Sequence, residues 1–502
     1  MSTTSRRRGA LSGMVAALAA LAKAQLVAAF SPTLRNPILD VGDRVIDGVP
    51  SAVKEFAIDV FGTADKPALL VGIGLVTLAY SALVGVLAVR RSRLVGALGV
   101  GLFGLIGALS AVVGPAGPIG AAPSLVGAAA GIGVLLWLVR EERQMDPHLA
   151  ASRRSFFKAA GSAAAASVLL AGVGSLASRR FEIETDTVAL PRPDRSLDPI
   201  PDGVAFPEPG LDPFVTPNAD FYRIDTALTV PRIDPETWTL QISGMVDRPF
   251  TLTFDELIDR PLVESDITLT CVSNEVGGKL VGNARWLGVR LDDLLEEAGI
   301  RPEADQVVGR SVDRYTCGFP VSALDGRDAL VAIGMNGEPL PLEHGFPARL
   351  IVPGLYGYVS ATKWLAEIEL TRFDQFDHYW VDRGWAQRAP IKTQSRIDTP
   401  AALARIPAGQ TAVAGVAWAQ TRGISRVEVR IDDGPWQDAE LAEELNDVTW
   451  RQWRLAWDAT PGRHQITVRA TDGTGSVQTE ERARPIPDGA TGWHSIVVLV
   501  DA

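Results

Sequence analysis

Five apolar stretches crowd the first 180 residues, at 11–30, 68–89, 94–113, 122–139 and 159–177. Each approaches the roughly 20 residues that an α-helix needs to cross the hydrocarbon of a bilayer. A chain with this opening is restricted to an all-α membrane region at its amino-terminal end, residues 1–180, whatever follows. The stretch at 11–30 is the weakest of the five, since Lys23 and Gln25 lie within it and an interfacial helix also fits.

The flanks set the orientation. Arg6, Arg7 and Arg8 precede the first stretch, Arg90, Arg91 and Arg93 divide the second from the third, and Arg140, Arg143, Arg153, Arg154 and Lys158 lie between the fourth and fifth. Placing all three clusters in the cytoplasm puts everything after residue 180 outside the cell membrane, as a multi-pass protein with an extracytoplasmic soluble part. The segment SRRSFFK, 152–158, followed by an Ala- and Gly-rich run, reads as a twin-arginine signal for export of folded cargo. A plain positive flank would explain Arg153 and Arg154 but not the added Phe156, Phe157 and Lys158. The run ends in SLASRRF without a clear small-residue cleavage site, so retention as an anchor is expected.

At 502 residues the chain has room for two or three cores. Its net charge of −11, with no basic stripe in the soluble part, argues against nucleic acid as a partner. Residues 181–212, with PRPDRSLDPIPDG at their centre, read as a linker with little structure of its own. Residues 213–400 mix strands (238–246, 348–354) with short amphipathic helices (254–260, 291–299), the pattern of an α+β domain. From 401 to 502 strict alternation in SRVEVRID and HQITVRATD, with turns at DDG, TPG and DGTG, predicts an all-β immunoglobulin-like sandwich. Only DAELAEEL, 438–445, has helical periodicity there.

Within the middle domain Cys271 stands out. It closes the β-branched run ITLT and precedes a Gly-rich loop, where a strand gives way to irregular backbone and sites are built. The chain has one other cysteine, Cys317, and no CxxC or Cys/His cluster, so neither a disulfide framework nor a zinc or iron–sulfur site is indicated. A single thiolate suits a soft, redox-active metal, although most lone cysteines are simply small buried hydrophobes. The run that follows, GNARWLGVRLDDLL (282–295), together with DITLTC, resembles the metal-binding segment of the sulfite oxidase family of molybdopterin enzymes. Residues 415–441, GVAWAQTRGISRVEVRIDDGPWQDAEL, resemble that family's carboxy-terminal dimerisation domain, which implies a possible homodimer.

The resemblance implies a molybdenum–molybdopterin cofactor with Cys271 as the thiolate ligand of the metal. TPNADFYR matches a cofactor-binding segment of the type T-P-N-x-x-F-Y-x and nominates Asn218, Phe221, Tyr222 and Arg223; YTCGFP nominates Thr316; HGFPARLIVPGLYGY nominates His344 and Arg349; and VSATKW nominates Ser360, Thr362 and Lys363 for the phosphate end. An arginine leading into LIVP enters a core, where an unpaired guanidinium is costly and an anion would relieve it.

Two departures matter. Where sulfite oxidases carry arginines just after the ligand cysteine, this chain has CVSNEVGG, with Glu275 at that place; Trp385 stands where many members have a tyrosine beside the metal, Tyr379 being the nearest alternative. A carboxylate 4 Å from an oxyanion opposes binding by roughly 4 kcal/mol at an effective dielectric near 20, close to a thousandfold. Poor sulfite oxidation is therefore expected, with a small-molecule S- or N-oxide, or an oxidised protein side chain, as the better substrate. No CxxCH motif occurs, and none of the five histidines lies in an apolar stretch, so no haem is expected and electrons pass to or from a separate protein or quinone-linked carrier. The rival reading is a cofactor-free, membrane-anchored binding protein that uses the sandwich. A transporter or sensor built on residues 1–150 is disfavoured because Lys23 is almost the only ionisable residue inside the apolar stretches.

Overall fold

Length and apolarity make helices of the amino-terminal stretches, because only a helix satisfies every backbone group within one segment. Helices run over Thr3–Ala28, Asp65–Arg90, Arg93–Val112, Ala121–Arg143 and Ala150–Ser178, and among the described residues five are long and apolar enough to cross a membrane. The structure is a computed structural model and describes residues 3–49, 53, 60–61, 65–114, 116–143, 150–181, 185 and 188–502. The side chains of Ser152 and Arg153, in the export-like motif, lie outside the described residues. The first helix approaches its neighbour through glycine: a Cβ on Gly13 would collide with the Ser81 carbonyl, and one on Gly85 with the Gly9 carbonyl. Small residues that let backbones touch hold helices together where no hydrophobic drive exists. The sequence reading passed over one further helix, Pro37–Gly48, capped by Asn36, whose side chain accepts from the Ile38 N–H, with Pro37 in its first turn.

The chain divides into two units, Met1–Ile183 with Ala227–Arg232, and Glu184–Thr226 with Ile233–Ala502. In the second unit the expected α+β domain is present. One sheet runs in the order Phe250–Thr253, Thr239–Gly244, Leu365–Thr371, Gln306–Ser311, Thr316–Pro320. The other runs Leu262–Thr270, Val281–Arg290, Leu330–Met335, Glu338–Pro339, with Arg349–Ile351 also paired to Leu330–Met335. Helix Phe254–Ile258 begins with a capping box of Thr253 and Glu256, and Leu291–Ala298 buries Leu291, Leu294, Leu295 and Ala298. Leu262–Thr270 is buried along almost its whole length, so its β-branched run carries Cys271 into the interior.

The carboxy-terminal region is a β-sandwich. Strands Gln394–Thr399, Gly409–Trp418, Arg451–Ala459 and Glu440–Leu441 form one sheet; Arg405–Pro407, His494–Asp501, Gly462–Asp472, Ile424–Ile431 and Gln437–Asp438 form the other. Val413 and Trp453 of the first pack with Val429, Val468 and Val498 of the second. The helical periodicity of 438–445 is overridden: Glu440 and Leu441 pair with Arg454 and Trp453 across a sheet edge. The linker also differs from expectation. Asp194 and Arg195 donate their N–H groups to the Leu262 carbonyl (2.8 and 3.2 Å), and Glu264 N–H donates to the Arg195 carbonyl (3.0 Å), so part of it runs beside the strand that leads to Cys271.

Candidate active site

The loop after Leu262–Thr270 turns sharply. Cys271 N–H donates to the Leu280 carbonyl (2.9 Å), and Asn274 N–H donates back to the Cys271 carbonyl (3.0 Å). The thiol of Cys271 is 7% exposed and opens onto a cavity with about 720 Å³ of empty space, lined also by Phe221, Tyr222, His344, Arg349 and Lys363. Burial pushes the thiol above its ordinary range, against hydrogen bonds from Ser273.

Two buried cations, Arg349 and Lys363, share the lining with the thiol. Arg349 opens strand Arg349–Ile351 and is 5% exposed; its Nη1 donates to the His344 carbonyl (3.0 Å), its guanidinium lies 5.1 Å over the Trp286 ring, and its Nε has no partner among the described residues. Burial lowers its pKa to about 10. Lys363 Nζ donates to Asp225 Oδ2 (2.7 Å) and to the Glu343 carbonyl (3.0 Å), with its pKa lowered to about 8 by burial. His344 shares a hydrogen bond between Nε2 and the Asn218 carbonyl (3.1 Å); burial, then Arg349, lowers its pKa to about 4. At neutral pH the ring is uncharged, so Nε2 carries the proton and Nδ1 is an acceptor. The phenols of Tyr222 and Tyr315 are raised above their ordinary range, mainly by burial and further by the cysteines beside them, which include Cys271 for both.

Residues 227–380 match the oxidoreductase molybdopterin-binding domain, and residues 387–500 match the Mo-co oxidoreductase dimerisation domain. An uncharacterised oxidoreductase of Bacillus subtilis, YuiH, is 36% identical over 155 residues, which span 31% of this chain and 75% of that protein. The chain belongs to the sulfite oxidase family. The mitochondrial sulfite oxidase of Rattus norvegicus is 30% identical over 353 residues, 59% of this chain and 64% of that protein, so the chain spans somewhat under two thirds of the length of such a relative. The sulfane dehydrogenase SoxCD from Paracoccus pantotrophus shares the fold, with a TM-score of 0.51, 23% identity, and coverage of 58% of this chain and 85% of that one. Membership brings with it a molybdenum–molybdopterin cofactor. The residues present fit such a group: a buried thiol for the metal, and a buried, incompletely bonded guanidinium beside a lysine for an anion.

Of the residues that the family pattern nominates, Phe221, Tyr222, Cys271, His344, Arg349 and Lys363 line the one cavity. The others lie around it. The Asn218 amide is used by the turn at 335–338, donating to the Met335 carbonyl and Glu338 and accepting from Asn336. Arg223 pairs with Asp225 (2.8 Å). Thr316 Oγ1 accepts from Tyr379 N–H (3.0 Å). Ser360 Oγ donates to the Leu355 and Tyr356 carbonyls, and Thr362 Oγ1 to Cys317 Sγ (2.9 Å). Glu275 is exposed and outside the lining: the turn closed by Asn274 carries it outward, and the nearby Arg285 binds Asp266 (3.0 and 2.8 Å). Trp385 stands one ring back, 5.8 Å from Tyr358 and 6.1 Å from Trp380, which do line the cavity.

Sequence reasoning missed Asp225, Asp313, Tyr315, Tyr358 and Trp380 in the lining. Tyr315 had a signal, since it begins the same YTCGFP segment in which Thr316 was chosen. The buried Asp225 and Asp313 had none, because which carboxylate faces Lys363 is settled by packing.

Proposed function

We propose that this chain is a membrane-anchored, extracytoplasmic molybdopterin oxidoreductase. It catalyses a two-electron exchange of one oxygen atom between a small-molecule or protein-side-chain oxide and water, with two protons exchanged with solvent and the two electrons passing to or from a separate electron-transfer protein or quinone-linked carrier. The observation that carries this reading is Arg349, a core guanidinium left short of partners in the cavity that holds Cys271. A cofactor-free binding protein gains nothing from such a group and bears its desolvation cost.

Arg349 and Lys363 would take the anionic end of the cofactor, Asp225 sharing Lys363 with it. His344, anchored through Nε2, offers Nδ1 to an amide-like N–H of the ring, while Tyr222, neutral at pH 7, offers a hydroxyl near the thiol. Cys271 would supply the soft ligand, and coordination removes its proton despite burial. When bound, molybdenum supplies a two-electron centre able to accept or give up an oxygen atom. Trp380 and Trp364, which also line the cavity, keep water from it.

Five helices of membrane-crossing length and the arginine asymmetry between them support an anchored protein with residues 181–502 outside. The sandwich is of immunoglobulin type in this reading, supported by its opening strands: Gln394–Thr399 joins one sheet, while Arg405–Pro407 pairs parallel to the last strand in the other. The dimerisation domain supports a homodimer. Elemental analysis and Mo(V) electron paramagnetic resonance of the purified protein test the central claim. Protein folded and matured beside a cofactor source that still carries no molybdenum would sink it, and a substrate screen on the loaded enzyme would then separate oxides from sulfite.

A further inference from the structure

We infer that the carboxy-terminal sandwich positions the loop that carries Cys271, with Arg396 and His494 as its positioning residues. The inference rests on Cys271 as the metal's ligand and assigns a job to a domain that the family description links only to dimerisation.

The sandwich first completes the strand before the cysteine. Thr268 N–H donates to the Val448 carbonyl (3.1 Å), Trp450 N–H donates to Thr268 Oγ1 (2.8 Å), Gln420 Nε2 donates to the Thr268 carbonyl (3.1 Å), and Asn446 Nδ2 donates to the Asp266 carbonyl (3.1 Å). Val416, Trp418 and Trp450 of the sandwich belong to the same hydrophobic core as the middle domain, so this edge is rigid. The sandwich then grips the loop after the cysteine at two adjacent residues. Arg396 Nη1 donates to the Gly278 carbonyl (3.0 Å), with its other N–H groups on Asp398 (2.5 Å) and Asp212 (2.6 Å) and its side chain 2% exposed. Gly277 has φ +81°, and a Cβ there would collide with the His494 ring. That ring is itself held by accepting the Ile397 N–H at Nδ1 (2.9 Å). Inside the loop, Leu280 N–H donates to Asn274 Oδ1 (2.8 Å) and Cys271 N–H to Leu280, so a displacement at 277–278 reaches the cysteine within a few bonds. A ligand's direction at a metal is set by what holds its backbone as much as by its own identity.

Alkylation of the full-length, metal-free protein, read by mass spectrometry at both cysteines, tests this, with the fully buried Cys317 as the internal reference for global opening. His494→Ala should speed modification of Cys271 about tenfold with Cys317 silent, while His494→Asn, whose Oδ1 keeps an acceptor for the Ile397 N–H, should stay within about threefold of wild type. In the molybdenum-loaded enzyme, His494→Ala should also shift the Mo(V) resonance. If Cys317 becomes reactive in His494→Ala, Gly277→Ala probes the same contact from the loop side and should accelerate Cys271 alone. Unchanged Cys271 reactivity and an unchanged resonance in folded His494→Ala and Gly277→Ala overturn the inference. Metal retained by Cys271→Ser would instead overturn the ligand reading and leave the alkylation result standing.

Discussion

The two units differ in the charge that they bury. Among the described residues, the amino-terminal helices bury hydroxyls, Ser12, Thr77, Ser81, Ser124 and Ser167, and the single carboxylate Asp40, whereas the second unit buries, beside its hydroxyls, Arg349, Lys363, Arg396, Asp266, Glu428 and Asp472. Helices that pack through Gly13 and Gly85 need no ions, while a water-facing domain can bury ions once each is paired. The comparison that teaches most lies inside the second unit. Arg396 is satisfied by Asp398, Asp212 and a carbonyl; Arg349, also buried, hydrogen-bonds the His344 carbonyl and leaves its Nε without a partner among the described residues. One arginine is fully paired within the protein; the other is the group proposed above to take the cofactor's anionic end.

The largest expected effect is at the thiol. Cys271→Ser should cost at least about a hundredfold in activity and alter or abolish the molybdenum signal, whereas Cys317→Ser should keep the metal. Equal metal spectra for wild type and Cys271→Ser refute the assignment. Nearly as large is the effect at the membrane. Replacing Arg153 and Arg154 with lysine keeps the charge but removes an export signal, so residues 181–502 should stay inside, and unchanged protease accessibility from outside would reduce the pair to a positive flank.

The two arginines then separate by stability. Arg396→Met strands the buried Asp398 and should destabilise the metal-free protein by about 3–5 kcal/mol, whereas Arg349→Met removes an under-satisfied cation and should stabilise it by about 1 kcal/mol or more while abolishing cofactor retention. Denaturant melts and molybdenum content check both; a destabilised Arg349→Met would make that arginine structural as well.

Smaller still is a pH effect. His344 falls from 6.5 to about 4 on folding, so the unfolded chain binds the extra proton between those values, and stability drops as pH falls through 6.5. Between pH 7 and pH 5 this ring should account for about 2 kcal/mol of lost stability, which His344→Gln should not lose. Parallel melts at the two pH values decide it. The smallest effect concerns Glu275. Its exposure replaces the thousandfold penalty expected from adjacency in sequence with a solvent-screened interaction of about 1 kcal/mol at 4 Å, or about fivefold. Glu275→Arg should change sulfite turnover by less than about tenfold, and a larger gain in steady-state assays would put Glu275 back at the substrate.

What the sequence determined by itself was whatever depends on length, periodicity and local pattern. The five long apolar helices follow from composition, and the strand before Cys271 from ITLT. In GNARWLGVRLDDLL the helix at 291–299 was legible from its amphipathic spacing, but the strand Val281–Arg290 before it was not, since Gly282 and Gly288 serve there to admit close neighbours, Phe221 and Val331. Tertiary structure alone decided which nominated side chains meet. Ser360 and Thr362 stand beside Lys363 in the chain, yet their hydroxyls are taken by carbonyls and by Cys317, and Glu275, four residues from the thiol, is turned to solvent by a hydrogen bond at Asn274. The approach of Arg396 and His494 to Gly277 and Gly278, more than a hundred residues away, has no local signature. Neighbours along a chain share a pattern, but side chains share a cavity only when packing and hydrogen bonding, summed over the whole fold, bring them there.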